Sequence, residues 1–165
     1  MKKIMKHYED SMFIPASPKG LFDYVDDHKN FSSHMNKSSW MMGGGRMNIH
    51  VDSKKFQKIG SYIKMEGTVF GIRLYLDEEV TVHEPPHRKA WKTVGSLRLL
   101  VIGHYGMGLE IKPQNQGSSL KVFIDYELPV SWSMRWLGYL FGGVYAKWCV
   151  QQMIKGSRDH FVMKK

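Results

Sequence analysis

Glu78 is the residue of this sequence with the most chemistry within reach. It stands in a run where Leu74, Leu76, Glu78, Val80 and Val82 alternate with Tyr75, Asp77, Glu79 and Thr81. On a strand it therefore shares a face with aliphatic side chains. An ionised carboxylate on such a face is costly unless it is paired. The pattern predicts either an inward Arg or Tyr partner, or a raised pKa suited to acid or base work. The competing arrangement is a β-bulge that turns Glu78 outward beside Asp77 and Glu79. Tyr105 and Tyr126 lie on apolar faces of later strands, where a hydroxyl either enters a pocket or bonds the backbone. Met65 and Met107 also lie on apolar faces, where flexible thioethers suit a shape-adapting cavity as well as an ordinary core.

Other chemistries are poorly supported. His83-Glu-Pro-Pro-His87 has the spacing of a helical zinc pair, but two prolines forbid the helix that would align the imidazoles, and no Cys-x-x-Cys or His-Glu-x-x-His motif exists. No metal site is expected. Gly43-Gly-Gly45 lacks the Gly-Lys-Ser/Thr ending of a phosphate loop, and Gly103-His-Tyr-Gly-Met-Gly108 has the wrong spacing for a dinucleotide turn. No Gly-x-Ser-x-Gly is present. No cofactor is expected. The single cysteine, Cys149, excludes an internal disulfide and reads as a small buried hydrophobe.

The elements that must position these residues follow from periodicity. Tyr8 to Ile14 reads as a strand stopped by Pro15, followed by a helix with Ser17 as N-cap, Pro18 at its first position, and Leu21, Phe22, Tyr24 and Val25 as its apolar side. A second short helix is expected over about Asn30 to Met35. Trp40-Met41-Met42 and the triple glycine lead into a strand through Met47, Ile49 and Val51. Strands with Ile63, Met65 and Val69, and with Leu74 to Val82, join at Phe70-Gly71 as a hairpin closed by Pro85-Pro86. Lys89 to Gly95 follows, with Trp91 and Thr93 on one face. Arg98 to Gly103 has no assignable pattern. Tyr105 to Ile111 and Leu120 to Leu128 complete the sheet around a polar turn at Gln114 to Ser119. Connections this short favour consecutive antiparallel neighbours.

After Pro129, the segment Trp132 to Phe161 reads as one long helix. Trp136, Leu137, Leu140, Phe141, Val144, Trp148, Cys149 and Gln152 recur at three- and four-residue steps and are expected to form its inward, aromatic side. Gly138, Gly142 and Gly143 interrupt it. Each costs roughly 1 kcal/mol relative to Ala in a helix interior, so the expectation is that they leave room for a bound molecule.

At 165 residues, 42% hydrophobic and 13% aromatic, the chain reads as a single domain over residues 1–165. The apolar stretch from Trp136 to Ala146 is too short to span a bilayer. The N-terminus runs from Lys2-Lys3 into His7-Tyr8-Glu9-Asp10, unlike a secretory signal, which leads to a cytoplasmic expectation. The net charge of +9 is concentrated at the ends, in Lys2, Lys3 and Lys6 and in Lys155, Arg158, Lys164 and Lys165 against Asp159. No nucleic-acid motif accompanies it, so no nucleic-acid partner is expected. Peripheral contact with an anionic membrane stays open.

The order strand, helix, helix, six strands, long helix resembles the helix-grip fold of the SRPBCC superfamily, which includes START lipid-transfer domains, birch-pollen-allergen-like proteins and polyketide cyclase/dehydrase-like proteins. The resemblance spans the whole chain. It is carried by Phe13-Ile-Pro-Ala-Ser-Pro18 leading into Leu21-Phe-Asp-Tyr-Val-Asp26, by Glu84-Pro-Pro86 followed by Lys89-Ala-Trp91, and by the terminal helix. It implies an α+β fold in which a curved antiparallel sheet of about seven strands wraps the C-terminal helix, with two short helices after the first strand and a hydrophobic-ligand pocket between. Three functions follow as expectations. The first is binding of a small apolar, aromatic or lipid-like molecule by Met65, Glu78, Trp91, Tyr105, Met107, Tyr126, Phe141, Val144 and Trp148. The second is a cyclase- or dehydratase-like enzyme using Glu78 or a tyrosine for proton transfer. The third is a membrane-surface lipid carrier. Catalysis, and monomer against dimer, are left open at this level.

Overall fold

The computed structural model describes residues 4–31, 46–51 and 56–163. The expectations for residues 32–35, for Trp40 to Gly45 and for the terminal lysines 2, 3, 164 and 165 lie outside them. Seven strands and three helices are described: β1 (Met5–Ile14), α1 (Pro18–Asp26), α2 (His28–Phe31), β2 (Arg46–Val51), β3 (Tyr62–Val69), β4 (Ile72–Glu84), β5 (Arg88–Arg98), β6 (Tyr105–Gln114), β7 (Gly117–Glu127) and α3 (Trp132–Val162). They form one antiparallel sheet in the order β1-β7-β6-β5-β4-β3-β2. The α+β architecture is the expected one. Strand β1 starts three residues earlier than the pattern suggested, because its partner β7 extends its ladder to Glu127.

Local chemistry accounts for the element ends. The Ser17 hydroxyl accepts the Gly20 N–H at 3.2 Å, with Pro18 inside the first turn of α1. Phe70 and Gly71 both take positive φ, the geometry of a two-residue turn whose twist matches its flanking strands. The β6–β7 turn is tighter than expected. Asn115 at φ 49° reverses the chain, and Gly117 to Ser119, expected in the turn, pair with Lys112 to Gln114.

Helix α3, about 46 Å long at 1.5 Å per residue, lies against β1 and β7, with α1 and α2 alongside its far half. Tyr24 of α1 stacks on His160 with centroids 3.9 Å apart and meets Phe161 edge-on at 5.6 Å, tying the two helices together. The inward face of α3 differs from the expectation. Its buried residues are Gly138, Gly142, Ala146, Cys149, Val150, Met153, Ile154 and Ser157, whereas Trp136, Leu140, Phe141 and Val144 are half or more exposed. Of the expected inward row, Cys149 alone is buried outright, and Leu137, Trp148 and Gln152 are partly buried.

Glycine decides this orientation. The segment after β5 is held to the end of β7 by Gly103 N–H to Glu127 O at 2.7 Å and Glu127 N–H to His104 O at 2.8 Å. That places the Val101 carbonyl against α3. A Cβ on Gly138 would lie 2.6 Å from Pro129 Cδ and 3.0 Å from the Val101 oxygen, and one on Gly142 would lie 2.9 Å from that oxygen. These glycines allow close backbone approach and leave no room for a bound molecule, which corrects the sequence expectation. Gly143 is different, since a Cβ there meets only the Tyr126 hydroxyl at 3.6 Å.

Gly138→Ala and Gly142→Ala are each expected to lower stability by about 1–3 kcal/mol through overpacking. Gly143→Ala is expected to be neutral, or stabilising by up to about 1 kcal/mol. Urea unfolding of the three variants checks this, and the reverse ranking would refute the close approach.

Candidate functional site

Strand β4 carries Glu78 into the core. Its neighbours in register are Ile63 on β3 and Thr93 on β5. Register shifts do occur in the β4–β5 ladder, but they fall between Tyr75 and Asp77 and between Val80 and Val82. Neither reverses the parity at Glu78, which points inward with 2% of its surface exposed. The bulge reading is thereby excluded.

Thr93 places the partner of this carboxyl. The regular β5–β6 ladder ends at Lys92 and Gly106. Beyond it the Thr93 hydroxyl accepts the Tyr105 N–H at 3.0 Å and donates to the Tyr105 carbonyl at 3.2 Å, with His104 Nδ1 at 3.1 Å. The side-chain hydroxyl thus continues the sheet and sets Tyr105 beside β4, where the phenol donates a short hydrogen bond to Glu78 Oε1. The other oxygen, Oε2, makes no hydrogen bond among the described residues. It faces His28 Nε2 of α2 at 4.0 Å. His28 sits edge-on to Phe56 at 4.8 Å and to Trp91 at 6.2 Å, and Phe31 meets Trp91 at 6.1 Å. The carboxyl is therefore roofed by aromatic rings.

Burial dominates the electrostatics. It pushes the Glu78 pKa from 4.5 up to about 7, with the Tyr105 hydroxyl, the Trp91 indole and the Lys89 charge pulling part of the way back. Tyr105 is held well above the usual phenol value by burial and then by the adjacent Glu78 charge. Tyr145 on α3 is raised likewise, chiefly by burial. Cys149 beside it is pushed up to about 12 by burial. Such a thiol carries no thiolate at neutral pH.

A second polar cluster adjoins the first. Lys89 of β5 is 1% exposed, yet its ammonium meets Asp26 Oδ1 at 2.8 Å and the Asp26 carbonyl at 2.9 Å, and lies 5.0 Å above the Phe56 ring. Asp26 also bonds His83 Nε2 at 3.0 and 3.1 Å. Burial lowers the Lys89 pKa and Asp26 opposes it. Sequence analysis did not single out Lys89, Asp26, His28 or Phe56. For Lys89 the signal was available, since it shares the parity of Trp91 and Thr93. His83 and His87, the pair tested for zinc, are otherwise engaged, with His87 Nδ1 3.2 Å from the Ile111 carbonyl.

No family model and no curated protein matches the sequence. Solved structures do match over nearly the full chain. Ara h 8.0201 superposes with a TM-score of 0.64 at 12% identity, covering 97% of this chain and 99% of its own. Norcoclaurine synthase from Thalictrum flavum, in complex with dopamine and hydroxybenzaldehyde, gives 0.68 at 11%, covering 99% and 90%. The Zhui aromatase/cyclase from Streptomyces sp. R1128 gives 0.63 at 9%, covering 94% and 95%. The fold is the helix-grip fold.

Within the grip, the residues expected to contact a ligand divide into two groups. Met65, Glu78, Trp91, Tyr105, Met107 and Tyr126 are all buried on the inward side of the sheet, part of one core with Val150, Met153 and Ile154 of the helix. Trp148 joins them from α3, partly buried and 6.0 Å from the Tyr145 ring. Phe141 and Val144 do not. They are 50% and 56% exposed, because the glycine face of α3 has taken the inward position.

Stability should depend on pH through Glu78. Below about 4.5 the carboxyl is protonated in both folded and unfolded chains. As pH rises toward 7 the unfolded chain releases a proton that the folded one keeps, so stability is lost over that window and levels off above it. Glu78→Gln keeps the shape without the titration. The difference in urea-unfolding stability between variant and parent is expected to move by roughly 3 kcal/mol in favour of the variant from pH 4 to pH 8. A flat difference would mean that the carboxyl is not desolvated.

Proposed function

We propose that this protein binds a small hydrophobic molecule between the sheet and α3, with the Glu78–Tyr105 pair meeting a polar group on it. The observation that carries this reading is Glu78 Oε2, a buried carboxyl oxygen without a hydrogen bond among the described residues, in an aromatic surround. Leaving such an atom unsatisfied costs about 1–3 kcal/mol. A ligand that donates one hydroxyl or N–H while burying aromatic or aliphatic surface removes that cost, and the remaining affinity comes from apolar area at about 25 cal/mol per Å². Tyr126, Met65, Met107, Trp91 and Trp148 supply apolar surface on the same side, and the methionines adapt their shape to what is bound. The structural likeness to a norcoclaurine synthase in complex with dopamine and hydroxybenzaldehyde, and to a protein named aromatase/cyclase, is consistent with an aromatic ligand.

The neutral fluorophore N-phenyl-1-naphthylamine, which carries one N–H on an aromatic frame, tests this. Saturable, equimolar fluorescence enhancement is expected, weakened roughly tenfold in Glu78→Leu by loss of a hydrogen bond to a charged acceptor. No enhancement, or equal affinity in the variant, overturns the reading.

A second reading rests on the same pair. A carboxyl with a pKa near 7, bonded to a phenol, is poised to take and return a proton at neutral pH. If the site catalyses proton transfer α to a carbonyl, the protein accelerates deuterium exchange at C2 of 1-tetralone in D₂O, and Glu78→Gln abolishes the acceleration. Exchange at the buffer rate with the parent protein eliminates this alternative.

A further inference from the structure

The face of α3 turned away from the core is the largest feature that ligand binding does not use. Trp132, Trp136, Leu140 and Val144 stand four residues apart and form one row along the helix. Trp132 is 90% exposed and Trp136 57%, and Tyr139, Leu140 and Phe141 beside them are each at least half exposed. Val130 extends the row into the preceding loop. The first strand adds to it. Met5 pairs with Glu127 at the end of β7, so β1 begins where α3 begins, and the Lys6 ammonium lies 5.2 Å above the Tyr139 ring. Ile4, of the same parity as Lys6, is itself about half exposed. Monomeric soluble proteins rarely leave a contiguous apolar patch of this kind without a partner.

Helix α3 itself brings only cations to the patch. Between Glu127 and Asp159 the sequence contains no acidic residue, while Arg135, Lys147, Lys155 and Arg158 are basic. Lys6 adds a further cation beside Tyr139. A helix with exposed Trp, Tyr, Leu and Phe whose own charges before Asp159 are all cationic has the character of a segment that lies in a bilayer interface, with its rings at headgroup level and its cations on anionic lipids. A second copy of the chain fits less well, because a two-fold contact would bring the cations of the two α3 helices face to face, with no acid on either helix before Asp159 to meet them. Among the described residues no helix is long and apolar enough to cross a membrane. The contact is therefore one of lying on the surface.

We propose that the outward face of α3, from Val130 to Lys147 together with Ile4 and Lys6, docks the protein on an anionic lipid bilayer. This surface is separate from the buried Glu78 site, and the proposal holds whether or not that site takes a ligand.

Co-sedimentation of the full chain with vesicles of phosphatidylcholine alone, or of phosphatidylcholine with phosphatidylserine, tests it. Binding is expected to the anionic vesicles only, to weaken as salt is raised, and to be accompanied by a blue shift of tryptophan emission. Trp132→Ser combined with Trp136→Ser removes two exposed rings, so its far-ultraviolet circular dichroism should match the parent while partitioning falls roughly tenfold or more. Arg135→Glu with Lys147→Glu should abolish the preference for anionic lipid. Absence of binding to the anionic vesicles overturns the proposal, as does equal binding to both compositions. It is overturned equally by a concentration-dependent dimer in sedimentation equilibrium that the double tryptophan variant abolishes while leaving partitioning unchanged.

Discussion

The rest of the structure depends on how closely α3 approaches the backbone between β5 and β6. Gly138 and Gly142 sit against the Val101 carbonyl and the Leu128–Pro129 corner at distances that no side chain permits. Once they occupy the inward position, the helical period of 3.6 residues turns Trp136, Leu140 and Val144 away from the sheet. Further along, where α1 and α2 also pack against α3, Cys149, Val150, Met153 and Ile154 are in the core. Two helix-interior glycines thus orient both the candidate pocket and the candidate docking face. Their unfavourable helix propensity is offset by packing that larger residues prevent.

Inside the grip, two polar clusters lie side by side and differ in how completely they are satisfied. Asp26 receives Lys89 and His83, and Lys89 also donates to the Asp26 carbonyl. That network joins the end of α1 to β4 and β5 and closes on itself. Glu78 is different. One oxygen is held by Tyr105 and the other makes no hydrogen bond among the described residues, although the group is as deeply buried as its neighbours. A low-dielectric surround strengthens the bond that is made and penalises the one that is missing. Burial is what lifts the carboxyl pKa to about 7, with the Tyr105 bond pulling it part of the way back.

Much of this was legible in the chain. Two-residue alternation alone determined the inward faces of β3, β4, β6 and β7, including Met65, Glu78, Tyr105, Met107 and Tyr126. Ser17-Pro18 and Phe70-Gly71 marked a helix start and a hairpin, because capping and positive φ depend on residue type within a few positions. The element order was enough to indicate a sheet gripping a terminal helix. Tertiary structure decided the rest. Which side of α3 faces inward was not readable from its hydrophobicity, since rings and glycines both recur at helical spacing, and only the position of the Val101 carbonyl selects the small side. The meeting of His28, Phe56 and Lys89 around Glu78 and Asp26 was equally hidden. These residues come from separate elements, and their contacts depend on long-range packing that no local period encodes.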